Sequence, residues 1–285
     1  MDVTLRPARP DDAQACGRIC YDAFAAIADA HNFTREFPSV DIPVWIAKSS
    51  IERPGFYAVV AESEGRIVGS NFLDERSVIR GVGPISVDPA VQDASVGRRL
   101  MEDVMQRADT LGAAGIRLVQ VAYHNRSFSL YAKLGFHPRE QLACVNGNVI
   151  AADVDGYDTR PATAGDVDAC NAVCRVVHGF DRGMELEDTV REGSALVVEH
   201  GGAVVGYATG IGIGQHAVAT NDDAMKALIA APSAYQGAGF LVPTTNADLL
   251  RWCLANGLRV VQLMTLMTIG LYNEPAGSYL PSVLF

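Results

Sequence analysis

A chain of 285 residues with 49% hydrophobic, 20% charged and 7% aromatic content is long enough for two domains and carries ample core for an ordered globular protein. Its formal net charge of −10 argues against a broad basic face for nucleic acid and leaves room for a cationic small substrate. The apolar run at residues 260–272 is interrupted and too short for a bilayer, and the charged start MDVTLRPARPDDAQ lacks the apolar centre of a secretory signal. No membrane partner is expected. The six cysteines, Cys16, Cys20, Cys144, Cys170, Cys174 and Cys253, lack the close spacing of a metal site. They predict small buried side chains, no metal and a reducing cytoplasm.

In chain order, the first recognisable segment is RPARPDDAQACGRIC from Arg6, which returns as RPATAGDVDACNAVC from Arg160 with seven identities at a constant shift of 154. The next, VVAESEGRIVGS, aligns with LVVEHGGAVVGY through Glu62 on Glu199 and Gly69 on Gly206; both read as hairpins around a glycine turn. VGPISVDP reads as one strand running into a loop. SVGRRLMEDVMQRADTLG then shows a helical stripe of Val96, Leu100, Val104, Ala108 and Leu111. GIRLVQVAYH is a buried strand; after it Asn125 is expected to cap a short helix that Gly135 ends. Asn125 and Tyr131 align with Asn246 and Trp252 at a shift of 121. The chain is thus a tandem duplication with its boundary near residues 151–158, giving domains 1–152 and 153–285. Each is predicted to run helix, hairpin, strand, helix, strand, helix, strand: a mixed α/β sheet flanked by helices.

Residues 85–101, ISVDPAVQDASVGRRLM, form a loop of small residues feeding a helix start. Such a loop offers backbone N–H groups and the positive end of a helix dipole to a diphosphate. Together with NRSFSLYAKLGF at 125–136, it makes the first copy resemble the GNAT family of acyltransferases, which move acetyl from acetyl-CoA to an amine. The family's loop motif, (Q/R)xxGx(G/A), is met by Gln92, Asp93, Ala94, Ser95, Val96 and Gly97. Ser95 stands where the family prefers glycine, and Asp93 where glycine is frequent. The second signature is met by Asn125, Leu130, Tyr131, Lys133, Leu134, Gly135 and Phe136.

The resemblance implies a role for each part of these motifs. Acetyl-CoA is the co-substrate, held by Ile85, Ser86 and Val87, by the loop from Gln92 to Gly97, and by Arg98, Asn125 and Tyr131. A backbone N–H of the strand bearing Ile85 to Val87 stabilises the oxyanion, and Tyr131, protonated at neutral pH, serves the departing thiolate. His124, Glu75 and the terminal carboxylate of Phe285 are the candidates for the base. Residues 23–46 lie where the fold keeps its acceptor-side helices, so Phe24, His31, Phe33, Phe37 and Trp45 are expected to line the acceptor site, with Glu274 for an ammonium group. The second copy resembles the family only faintly. It has the acidic VATNDDAMKALIA at 218–230, without glycine, and Trp252 against Tyr131. It is read as a scaffold that binds no acetyl-CoA. Its GIGIG at 210–214 follows the hairpin instead of opening a helix, so it is no dinucleotide loop. The expected activity is N-acetylation of a primary amine of a small molecule by direct attack in a ternary complex. A non-catalytic acyl-CoA sensor is the alternative, and a homodimer is left open.

Overall fold

Both repeats open on a short strand that the pattern of apolar residues does not announce. The structure, a computed structural model, describes residues 2–91 and 95–284. It divides into two compact units, one of residues 1–118 with 123–136, the other of 119–122 with 137–285. The fold is mixed α/β, as predicted. No helix of the described residues is long and apolar enough to cross a membrane.

The first unit begins with β1 (Thr4–Pro7), α1 (Ala13–Ala30) and α2 (Asp41–Glu52). The two helices approach so closely that a Cβ on Gly17 would meet the Cα of Val44 at 2.3 Å, which restricts that position to glycine. β2 (Phe56–Ser63) and β3 (Arg66–Asp74) form the predicted hairpin, with Ser63 opposite Arg66 and both turn residues, Glu64 and Gly65, at positive φ. The single strand expected at VGPISVDP is instead two pieces, β4 (Ile79–Val82) and β5 (Ser86–Val87). Both pair with β3, and Gly83 to Ile85 interrupt them. α3 (Val96–Thr110) follows, then β6 (Gly115–Val121), whose start runs parallel to β4, and α4 (Asn125–Lys133). One face of β3 meets α3, where Asn71 Nδ2 donates to the Leu100 carbonyl at 3.2 Å. On the other face Phe72 packs with Cys16 and Ala47.

The second unit contains β7 (His137–Asn146), β8 (Tyr157–Pro161), α5 (Val167–His178), α6 (Gly183–Glu192), β9 (Leu196–His200) and β10 (Ala203–Ala208). β11 (Ala217–Ala219), α7 (Asp222–Ala230), β12 (Phe240–Pro243), α8 (Ala247–Ala255), β13 (Arg259–Gly270) and β14 (Ser278–Leu280) complete it. One sheet runs β14-β11-β10-β9-β8. In the other, β7, the last strand of the first repeat, lies between β13 and β12, both from the second repeat. Fully buried Val145, Met225, Leu228, Phe240 and Leu249 join one core cluster, where each such side chain contributes roughly 1.5–3 kcal/mol.

The residues that repeat in sequence turn out to build the same frame twice. Arg6 donates from Nε to Glu62 at 2.8 Å and forks onto Asp12 at 2.7 and 3.0 Å; Asp12 also accepts the Arg9 N–H. Arg160 donates to Glu199 and forks onto Asp166 at 2.8 and 2.7 Å, and Asp166 accepts the Thr163 N–H. The network ties the first strand to the helix start and to the hairpin. Both hairpins also carry an extra residue at the same place, Val68 and Val205.

Candidate cofactor and acceptor site

The site is built first from β5 and the start of α3. The Asp88 N–H donates to the Val68 carbonyl at 2.9 Å. By the two-residue alternation of an antiparallel ladder, the backbone of Ser86 also faces β3, while Ile85 and Val87 turn theirs to the opposite edge. Among the described residues no strand pairs that edge. The Ser86 side chain is buried, 3.4 Å from the Ser70 hydroxyl. Gln92, Asp93 and Ala94 lie outside the described residues. Ser95 adopts the left-handed conformation (φ 59°, ψ 14°) at the N-cap of α3 and makes no side-chain cap bond. The backbone there thus has the geometry for which the family uses glycine. A Cβ on Gly97 would find only ordinary contacts, 3.7 Å from Val87 and 3.8 Å from Leu130, so packing within the protein does not demand glycine. Arg98 pairs with Glu102 at 3.4 Å on the surface, and Arg99 is turned to the Val3 carbonyl at 2.6 Å.

The second part is the end of β6 and α4. His124, not Asn125, caps this helix: its Nδ1 accepts the Ser127 N–H at 3.2 Å. Asn125 is the exposed first residue of α4, and its carbonyl accepts the Ser129 hydroxyl. Burial, with the charges of His31 and Arg126, lowers the pKa of His124 and favours the neutral ring. Tyr131 is 6% exposed, its ring edge-on to Phe136, and burial pushes its phenol up to about 12. It is therefore a protonated donor at any physiological pH.

Of the expected acceptor residues, the structure brings His31 and Phe33 together on a residue that the sequence motifs do not single out. Tyr123, one position before His124, stacks on Phe33 at 4.1 Å and 13° and lies 5.3 Å from the His31 ring. Burial and the charge of Glu36 raise its phenol to about 12. Tyr123 lies in the turn between β6, which ends at Val121, and α4. Phe24 pairs separately with Phe37 at 5.5 Å, and Trp45 is 67% exposed on α2. Glu274 is exposed in the second unit, next to Asn273, whose side chain donates to the His178 carbonyl.

Glu75 does not suit a base. Both its oxygens are taken by Arg107, at 2.8 and 3.2 Å. Arg107 sits in the last turn of α3, about 15 Å along the helix from Gly97. Phe285 lies outside the described residues.

The second repeat shows what the same edge looks like when filled. β11 pairs with β10 as β5 does with β3, since the Thr220 N–H donates to Val205 as Asp88 does to Val68. On its other edge β11 carries β14, with Val218 opposite Tyr279. Only Thr220 and Asn221 separate β11 from α7, and Asn221 caps that helix on the Ala224 N–H at 2.9 Å. Asn246 caps α8 with φ −82° and ψ 71°, against −86° and 72° at His124. Asn246 therefore corresponds to His124, not to Asn125, and the expected match of Tyr131 with Trp252 slips by one. Cys253 stands opposite Tyr131: its carbonyl accepts the Leu258 N–H as that of Tyr131 accepts the Phe136 N–H.

A model of the acetyltransferase (GNAT) domain family matches residues 54–138, which include β5, Ser95, Gly97 and Tyr131. No curated protein gives a significant match. Among solved structures, a provisionally named acetyltransferase from Pyrococcus horikoshii shares 20% identity, with 97% of this chain and 94% of that one covered and a TM-score of 0.74. A GCN5-related N-acetyltransferase from Sphaerobacter thermophilus shares 14%, covering 95% and 96%, at a TM-score of 0.61. A tandem GNAT protein from the clavulanic acid biosynthesis pathway shares 16%, covering 99% and 100%, at a TM-score of 0.57. At these identities the three share the fold of this chain. Residues 54–138 thus match the acetyltransferase (GNAT) domain family, and the chain as a whole has the fold of these three proteins.

Proposed function

We propose that the chain is an acetyl-CoA-dependent N-acetyltransferase that acts through its first repeat, residues 1–152, on the primary amine of a small molecule. The observation that carries this reading is the edge of β5, on which no strand of the described residues pairs, beside a left-handed Ser95 at the start of α3. In the second repeat, 153–285, the matching edge and helix start are taken by β14 and Asn221. A thioester arm laid along β5 would receive the backbone N–H groups of Ile85 and Val87, and its diphosphate the amides at the start of α3. Tyr131 holds a proton at Oη for the leaving thiolate. Direct transfer to the amine fits the cysteines: all six are buried, so none is presented to accept an acyl group. Neither His124 nor Glu75 is assigned as the base, because His124 uses Nδ1 as a cap and Glu75 is bound to Arg107.

Calorimetric titration with acetyl-CoA tests the reading directly. One site per chain is expected, followed by thiol release on a panel of primary amines. Two sites would overturn the account of the second repeat, and no site would overturn the enzyme. Binding without turnover on any amine would favour a sensor of acyl-CoA.

A further inference from the structure

With His124 engaged as a cap and Glu75 held by Arg107, the acceptor amine still needs a group to take its proton. An ammonium has no lone pair and cannot attack a thioester until one proton is gone. The structure offers a second imidazole beside the same turn. His31 is the C-cap of α1, its ring 5.3 Å from that of Tyr123, and Phe33, two residues on, stacks on Tyr123 at 4.1 Å. His31 is also among the charges that lower the pKa of His124, so the two rings lie within electrostatic reach of each other.

The two imidazoles hold their protons on different atoms. Nδ1 of His124 accepts the Ser127 N–H, which spends its lone pair on the helix cap. Nδ1 of His31 lies 3.0 Å from the Ile27 carbonyl, and a carbonyl oxygen only accepts, so this nitrogen carries the hydrogen. In the neutral ring the lone pair of His31 is therefore on Nε2, which has no hydrogen-bond partner among the described residues. The ring is exposed, so a proton taken up there can be returned to solvent. The charged and titratable groups around it are the Asp29–Arg35 ion pair, Glu36, whose charge reaches Tyr123, and His124. α1, which His31 ends, packs on the face of β3 that carries Phe72. α4, which carries Tyr131, lies with Leu130 near the start of α3, the helix of the opposite face. Nucleophile and leaving group occupy different positions on a tetrahedral carbon, so base and acid are needed from different directions.

We propose that His31 is the general base of the first repeat: its Nε2 takes one proton from the acceptor ammonium, and the freed lone pair attacks the thioester carbonyl. The inference rests on the acetyl-transfer reading above and supplies the group that reading lacks. As the C–N bond forms, the carbonyl π electrons move to oxygen. When they return, the C–S bond breaks and sulfur leaves with its electron pair, taking the Tyr131 proton. The nitrogen, now bonded to the carbonyl carbon, gives up its second proton, which makes good the one lost from Tyr131. His31 returns the first to solvent. Each ammonium and thioester thus yield one amide, one thiol and one released proton.

Two measurements test it. Two-bond proton–nitrogen correlation of the neutral His31 ring in the free protein should show Nδ1 protonated and Nε2 bare; a proton on Nε2 overturns the proposal. Thiol release is then compared for wild type and His31→Asn, whose amide keeps an N–H for the Ile27 carbonyl and has no atom in place of Nε2. The probes are 2-phenylethylamine, putrescine and free lysine, and the fastest of them is carried through the pH series. kcat/KM should fall about 100-fold at pH 7. The deficit should shrink as the pH rises toward about 10, where a lysine-like amine arrives without its extra proton. Melting temperature and acetyl-CoA affinity should hold. A deficit equal at every pH, or none at all, overturns the base and leaves acetyl transfer standing. Wild-type protein that acetylates none of the three amines overturns the transferase reading, and the base with it.

Discussion

In the first repeat the chain from Asp88 to Ser95 separates β5 from its helix and, among the described residues, no strand pairs the outer edge of β5; in the second, Thr220 and Asn221 alone make that passage and β14 closes the edge. Everything beneath this difference is held in common, down to the forked Arg–Asp pair, its Glu partner and the extra hairpin residue. The comparison teaches that the frame and the site are separable. The frame tolerates few changes because buried charges left without partners are costly. The site is a loop and an edge, and shortening one while covering the other removes it without touching the frame.

The largest test of that separation is Tyr131→Phe against Cys253→Ala. The first should lower turnover about 100-fold with acetyl-CoA affinity unchanged, and the second should leave turnover alone; steady-state thiol release and calorimetry read both. Equal loss of affinity and turnover in Tyr131→Phe would deny the phenol its role as acid. Next comes the shared frame. Asp12→Ala should cost about 2 kcal/mol in chemical denaturation, and Asp166→Ala should act in the same direction, neither altering acetyl-CoA affinity. Hydrogen bonding to Arg6 and Arg160 holds both carboxyls below the ordinary range. The stability they contribute is therefore complete above about pH 4 and is lost as the pH falls further. A cost confined to one repeat would mean that the frames are not equivalent.

Gly97→Asp sharpens the site itself. Its Cβ meets only ordinary contacts and an acid suits a helix start, so the melting temperature should hold while the added charge repels a diphosphate and lowers acetyl-CoA affinity about tenfold. Unchanged affinity would remove the α3 start from the cofactor seat. The smallest effect is expected for Ser95→Gly, which relieves a left-handed serine and should raise stability by about 1 kcal/mol or less. A clear loss of stability would show that the serine side chain is needed where it sits.

Much of this is legible in the sequence, for reasons that differ by element. The duplication can be seen because Arg6, Asp12 and Glu62 enter one network and their types are fixed together. The hairpins can be read from glycine turns. The cap of α4 lies one residue before the expected Asn125 because asparagine is the commoner cap, whereas the chain uses a histidine nitrogen; the same slip pairs Trp252 with Tyr131 in place of Cys253. Glu75 is expected as a candidate base because its partner Arg107 cannot be read from sequence; that pairing depends on how α3 lies. Tyr123 escapes because it reads as one more apolar strand residue. β14 and the place of β7 are beyond reach: a three-residue strand carries almost no pattern, and nothing local in β7 says that its neighbours arrive only from Phe240 onward.

That last arrangement sets a waiting time during synthesis. β7 ends at Asn146, whereas β13, its longest partner, is complete only at Gly270. At roughly 5–20 residues per second, the buried edge of β7 is without this neighbour for on the order of ten seconds after it leaves the ribosome. A ribosome that stalls in the second repeat would therefore leave the end of the first exposed as a sticky strand, and the newborn chain has reason to be sheltered until its far end is made.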